Sequence, residues 1–221
     1  MQDDSRERGR LALRSAGRSA SFRRGDRLIV AGSASVEVLL VEEGLVKAVL
    51  PDRDGAEPVV GLFGAGDLLG EIGVVGRRPR SAHIVALTSG IVVRVPGDVF
   101  RLMQQRDDDV RALLDESWWQ RQRNADARQL SQTRDVRTRV ATTLLSWARD
   151  FGRPTESGLL MRGVSQLDIA QAVCASDKTV DAVLASFRAS GLLRTGRLWY
   201  QVLDPQAMES LAVLTGSQTD Q

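Results

Sequence analysis

The chain has 221 residues, 43% of them apolar, with 30 Lys or Arg against 28 Asp or Glu, one histidine and one cysteine. That length supports one large or two modest domains with a real core, and a single Cys and a single His exclude an intramolecular disulfide, a cysteine-rich zinc site and a cysteine-ligated iron–sulfur cluster. The net charge of +2 is no bulk argument for nucleic acid, and the lack of a membrane-length apolar run or signal-like N-terminus makes the expected location cytoplasmic.

Residues 1–20 form an arm with arginines at 6, 8, 10, 14 and 18. It reads equally as a disordered tail, a helix lying on the next domain, or an extra phosphate contact. Residues 21–103 read as a β-domain, because the apolar runs "VEVLLV", "LVKAVL" and "SGIVVRV" are separated by the turn signals "RRGD", "AGSAS", "DRDGAEP" and "GAGD". Such punctuation predicts an antiparallel sandwich or barrel.

From Asp98 to Arg149 there is no glycine or proline, and Val110, Leu113, Leu114 and Trp118 recur at helical spacing. A long helix follows, broken near Thr133 to Arg137. Its seam outruns any surface one β-domain covers, so residues 104–138 are assigned to a dimerisation helix and hinge. Residues 139–221 read as a helical unit. "SQLDIAQAV" opens with Ser165 and Asp168 in capping-box spacing. "ASDKTVDAVLASFRASGLL" starts on the N-cap Ser176 and stops at Gly191, and "LLRTGRLWYQV" predicts two strands turning at Thr195-Gly196. Two short helices, a tight turn and a hairpin describe a winged helix-turn-helix, whose second helix can enter a major groove.

Between two strand-like runs lies "GEIGVVGRRPRSA", Gly70 to Ala82. Gly70, Gly73 and Gly76 let a backbone approach a ligand closely. Arg80 can pair bidentately with a phosphate, Ser81 can donate a hydroxyl, and Glu71 can accept from a sugar hydroxyl. One phosphate and one ribose would satisfy the set. No nucleophile stands paired with a base and no metal-ligand cluster occurs, so an enzyme is not predicted.

Gly-Glu followed by Arg-Ser-Ala closely resembles the phosphate-binding cassette of cyclic-nucleotide-binding domains, and "FRRGDRLIVAG", "VEEGLVKAV" and "GLFGAGDLLGEIG" resemble that domain's first strands and turns. With the long helix and the winged helix, the order of parts from Phe22 to Asp204 resembles the cyclic AMP receptor and fumarate-nitrate regulator superfamily of bacterial transcription factors. The resemblance implies an α+β chain: a jelly-roll-like double-stranded β-helix that holds a cyclic nucleotide, a dimerisation helix, and a winged helix-turn-helix. It further implies a homodimer on a roughly palindromic operator in double-stranded DNA, with RNA polymerase as a further partner. The effector would be cyclic AMP or cyclic GMP, with cyclic AMP favoured, held by Gly70, Glu71, Ile72, Gly73, Arg80, Ser81 and Ala82. "TRDVRTRVA" resembles the hinge, with Asp135 at the acidic position.

Two departures are visible. Where the cyclic AMP receptor carries a Thr-Ser pair for the adenine, this chain has Ala125-Asp126, leaving Arg121 and Asn124 to bond a purine edge. In the recognition helix, Asp177 and Ala182 stand at two positions where relatives carry arginine, so guanine is not read there. The DNA candidates are Ser176, Asp177, Lys178, Thr179 and Asp181 on that helix, Arg162, Ser165 and Gln166 near the preceding one, and Arg194 and Arg197 on the wing. The alternatives are the same fold working without a nucleotide or with another effector, or a signalling module with weakened DNA binding. His83, Trp118, Trp119 and Cys174 are read as structural, with Cys174 expected small and buried and the tryptophans at the dimer seam and against the β-domain.

Overall fold

The computed structural model describes residues 2–51 and 57–213. The first five residues of the "DRDGAEP" turn signal, 52–56, and residues 214–221 lie outside the described residues. The chain divides into two compact units, Met1–Ala125 and Asp126–Gln221.

The first unit begins with α1 (Gln2–Ala16), followed by β1 (Arg18–Phe22), β2 (Arg27–Ile29), β3 (Glu37–Glu43), β4 (Val46–Val49), β5 (Val59–Phe63) and β6 (Leu68–Leu69). Then come α2 (Glu71–Gly76), β7 (His83–Ala86), β8 (Gly90–Pro96), α3 (Gly97–Arg106) and the first part of α4 (Asp108–Ser131). Two four-stranded antiparallel sheets, ordered β1-β8-β3-β6 and β2-β7-β4-β5, form the jelly roll. The consecutive apolar residues 38–41 of β3 and 91–93 of β8 are retained because both faces of their sheet are covered. Val38, Leu40, Val93 and Val95 pack with Leu13, Phe100, Val110 and Leu114 of the helices. Leu39, Val41 and Val92 face Ile29, Val46 and Ile84 between the sheets.

The arginine-rich arm is helix α1 as far as Ala16, lying on the β-domain, while Arg18 to Ala20 already belong to strand β1. Leu13 is fully buried, Arg8 pairs with Asp109 at 2.7 Å, Arg6 pairs with Glu116 at 3.3 Å, and Arg14 pairs with Glu42. These arginines are engaged by the chain itself. The helix predicted from Asp98 breaks twice, not once. Asp107 leaves helical geometry (φ −119°, ψ 111°), and its Oδ1 accepts from Asp109 N at 2.9 Å and Val110 N at 3.1 Å, capping α4. The second break, after Ser131, ends at Asp135, which accepts from Thr138 N at 2.9 Å as the N-cap of α5 (Val136–Phe151).

The second unit continues with β9 (Arg153–Thr155), β10 (Gly158–Arg162), α6 (Gln166–Val173), α7 (Asp177–Ala189), β11 (Leu193–Gly196), β12 (Trp199–Val202) and α8 (Pro205–Val213). Its sheet runs β11-β12-β10-β9. The β9–β10 hairpin and α8 are additions to the predicted elements. The β11–β12 turn falls two residues later than expected: Gly196 pairs with Trp199, so Arg197 and Leu198 form the loop, with Leu198 at φ 61°. Ala170 is buried, as a close helix crossing requires. Among the described residues no helix is long and apolar enough to cross a membrane, and no cluster of His, Cys, Asp or Glu could hold a metal ion.

Candidate functional site: a nucleotide cassette and a helix-turn-helix

Gly70, at φ 80°, links β6 to α2. A Cβ there would strike the Arg80 guanidinium, and the left-handed backbone favours glycine independently. Gly73 lies as close to Ser35, where any Cβ would collide with the hydroxyl. After α2 the chain returns along residues 31–35. Arg80 N donates to Ser33 O at 2.9 Å and Gly32 N donates to Arg80 O at 2.8 Å, while Ser35 Oγ donates to Arg78 O at 2.7 Å. His83 Nδ1 accepts from Ala31 N at 3.1 Å. The chain's one histidine therefore holds the loop that holds Arg80.

Two guanidiniums and one carboxylate converge beneath this backbone. Arg80 is only 7% exposed; its Nη1 donates to Gly70 O at 2.6 Å and its Nη2 to Glu37 O at 2.5 Å. Burial lowers its pKa, opposed by the nearby Glu37 and Glu71. Glu71 is 0% exposed. Arg121, on α4, puts Nε 3.0 Å from Glu71 Oε1, donates from Nη2 to Glu71 Oε2 at 3.1 Å and to the Leu68 carbonyl, and lies over the Phe63 ring at 4.8 Å. Burial pushes the Glu71 carboxyl up, with Arg121 pulling in the opposite direction.

The pairing is incomplete. Glu71 Oε1 and Arg121 Nε are within ion-pair distance but not aligned as a hydrogen bond, and both are buried without a hydrogen-bond partner. A hydroxyl satisfies such a pair at once, because it donates to the carboxylate and accepts from the N–H. One carboxylate against two guanidiniums also leaves one positive charge, which a monoanion balances.

In the second unit Ser165 caps α6. Its Oγ accepts from Asp168 N at 3.2 Å, and Asp168 Oδ2 accepts from Ser165 N at 2.7 Å and Oγ at 2.6 Å, closing a capping box. The Ser165 hydroxyl is thus committed to the helix. Ser165→Ala should cost roughly 1 kcal/mol of stability, measured by urea unfolding; an unchanged midpoint would show that the box contributes nothing. Cys174 ends α6 at φ 50° and is exposed, contrary to the buried position expected for it. Gln166 Nε2 donates to Asp177 O at 3.3 Å, tying α6 to α7. Ser176 caps α7 by accepting from Thr179 N at 3.1 Å, and Val180, Leu184 and Phe187 fill its buried face. Asp177, Lys178, Thr179 and Asp181 are turned outward and exposed.

The cyclic nucleotide-binding domain model matches residues 19–107, and the Crp-like helix-turn-helix domain model matches residues 138–211. The chain belongs to the CRP/FNR family. This regulator is 29% identical over 186 residues to the CRP-like cAMP-activated global transcriptional regulator of Mycobacterium tuberculosis, covering 78% of each chain. Its fold is similar to that of FixK2 from Bradyrhizobium japonicum (TM-score 0.77, 21% identity, 88% of this chain and 96% of that one). It is also similar to the c-di-GMP-responsive regulator CLP of Xanthomonas campestris (TM-score 0.73, 19% identity, 90% and 99%). The family makes it a DNA-binding transcription regulator with a cyclic nucleotide-binding domain, and the relatives are regulators and not enzymes.

Of the cassette residues named from sequence, the regulator brings Gly70, Glu71, Gly73, Arg80 and Arg121 together, while Ile72 and Ser81 are exposed and Ala82 is half-buried. Asn124 is exposed on α4. Phe63, under the Arg121 guanidinium, and the carbonyls of Glu37 and Leu68 were missed. A cation–π partner and a carbonyl acceptor leave no mark on a motif; only the "GLFGAGDLLGE" context hinted that the segment mattered. Arg162 sits at the end of β10, and with Arg194 and Arg197 it is exposed.

Proposed function

We propose that the regulator is a homodimer whose β-domain binds a cyclic nucleotide, cyclic AMP in first place, and thereby repositions its two recognition helices on a palindromic operator. The observation that carries the reading is the buried, unaligned Glu71 Oε1 and Arg121 Nε. A ribose 2′-hydroxyl completes both, and the cyclic phosphate supplies the single negative charge that Arg80 and Arg121 leave unbalanced. Arg80 and Ser81 hold the phosphate; Ile72, Gly73 and Ala82 shape its cradle; Arg121 and Asn124 face the base. The activation of the M. tuberculosis relative by cyclic AMP supports the choice of nucleotide.

Trp118 and Trp119 on α4, 39% and 59% exposed, supply apolar surface for pairing with a second copy. Asp135, capping α5 after the break in the helix, is the hinge residue. On DNA, Lys178, Asp177 and Asp181 meet base edges, while Ser176, Thr179 and Gln166 with Arg162, Arg194 and Arg197 meet phosphates. Calorimetric titration of the purified protein with cyclic AMP and cyclic GMP tests the reading. Saturable binding, tighter for cyclic AMP, is expected; no saturable heat from either nucleotide overturns it.

A further inference from the structure

Two sets stand out among the arginines of the second unit, with Arg188, which donates to Thr195 Oγ1 at 3.3 Å, and the half-buried Arg128 outside both. Arg137 bonds the Ser186 hydroxyl and lies over Phe187 at 4.8 Å; Arg139 donates to Val173 O at 3.0 Å; Arg149 forks onto Glu209 at 3.1 and 2.8 Å; Arg134 bonds the Ala212 carbonyl. All are consumed internally. Arg153, Arg162, Arg194 and Arg197 are exposed, and no ion pair or side-chain hydrogen bond claims them among the described residues.

Arg153, Arg162 and Arg194 of the second set share one face of the sheet, and Arg197 lies in the loop beyond it. Met161, Tyr200, Leu193 and Val202 are buried on the inner face, and strand alternation turns their neighbours outward. Register aligns Arg194 with Gln201, Gln201 with Leu160, and Leu160 with Arg153 in one cross-strand row. The next row holds Gly196, Trp199 and Arg162, with Arg197 in the loop beyond. The Trp199 ring lies across Gly196, where a Cβ would strike the indole. In the strands and their two turns, the four arginines are accompanied by one carboxylate, Glu156. The start of α7, by contrast, exposes Asp177 and Asp181 against Lys178.

Arg194 and Arg153 are three strand spacings apart, roughly 14 Å. That separation cannot converge on one small anion but suits a line of phosphates. We propose that the outer face of the β11-β12-β10-β9 sheet binds the sugar-phosphate backbone of duplex DNA, with the Trp199 ring against the sugars, and supplies most of the electrostatic affinity. The inference rests on the DNA-binding reading above, and adds Arg153 and Trp199 to it.

The test measures binding of the full chain to a long mixed-sequence duplex by fluorescence anisotropy across a salt series starting at low ionic strength. The double variant Arg153→Gln/Arg194→Gln should make the slope of log K against log salt shallower by about 1.8 for each protomer on the duplex, about 3.6 for the homodimer, at about 0.9 for each phosphate no longer neutralised. Arg27→Gln, which removes an exposed charge from the other unit, should leave the slope unchanged. Arg153→Gln alone, at the exposed start of the edge strand β9, should make the slope shallower by about 0.9 for each protomer and serves if the double variant fails to fold. An unchanged slope in Arg153→Gln overturns the inference while the DNA-binding reading, which rests on Arg162, Arg194 and Arg197, stands. A wild-type chain with no duplex affinity overturns both.

Discussion

Replacing Arg121 with methionine should cost about 3–5 kcal/mol of stability at neutral pH, the penalty for leaving a buried charge without its partner. Glu71 is fully buried and its carboxylate meets Arg121 at 3.0 and 3.1 Å. Methionine fills similar volume but carries no charge, so the carboxylate must ionise unaided or take up a proton. The loss should therefore depend on pH. Burial raises the Glu71 pKa, so between the unfolded and folded values the folded chain holds more protons, and the unfolding free energy falls as pH rises through that window. The contribution is fully present below the unfolded carboxylate value and is lost as pH rises through the raised folded value. Removing Arg121 takes away the main opposing influence and widens the window. Urea unfolding at mildly acidic and neutral pH should show the variant recovering stability in acid, and Glu71→Gln/Arg121→Met should lack that pH dependence. An Arg121→Met chain as stable as wild type at neutral pH would show that the pair does not hold α4 to the cassette.

Arg80→Ala should both cut cyclic-nucleotide affinity and weaken the fold. The binding loss follows from removing the cation proposed for the phosphate, about 1.5–3 kcal/mol or roughly ten- to a hundredfold in affinity. The weakening follows from the two carbonyls, Gly70 O and Glu37 O, that lose their donor, each left unsatisfied at about 1–3 kcal/mol. An arginine read from the motif alone is an exposed ligand contact whose truncation leaves the fold intact. The buried side chain makes it a strut as well. Calorimetry and urea unfolding on the same variant separate the two roles, and unchanged affinity for cyclic AMP would place the phosphate elsewhere.

The jelly roll, the broken helix and the helix pair were legible because each rests on local chemistry. Apolar runs of β3 and β8 bounded by turns, the Ser165–Asp168 spacing, and the Ser176 cap are all written within a few residues. The break at Asp107 escaped because an aspartate amid "RDDD" caps or continues a helix with the same sequence. The β9–β10 hairpin escaped because "GRPTESG" reads as a terminator, and β10 is joined to the rest of its sheet only through β12, some forty positions away. Leu198 in left-handed geometry moved the wing turn by two residues, against the preference for glycine that placed it at Thr195-Gly196.

By itself the sequence determined the family, the order of the parts and the chemistry of the cassette, since Gly70, Glu71, Arg80 and Ser81 lie within twelve positions and carry their meaning in their spacing. Only the tertiary structure decided how the charges pair. Arg121 reaches Glu71 across fifty positions, and it stacks on Phe63 because α4 passes the cassette there. Likewise, the arginines of the second unit are indistinguishable in sequence, and folding alone sorts them. Arg134, Arg137, Arg139 and Arg149 are consumed by a carbonyl, hydroxyl, ring or carboxylate, while Arg153, Arg162 and Arg194, turned outward by strand alternation, and Arg197 in the wing loop keep their charge for a partner.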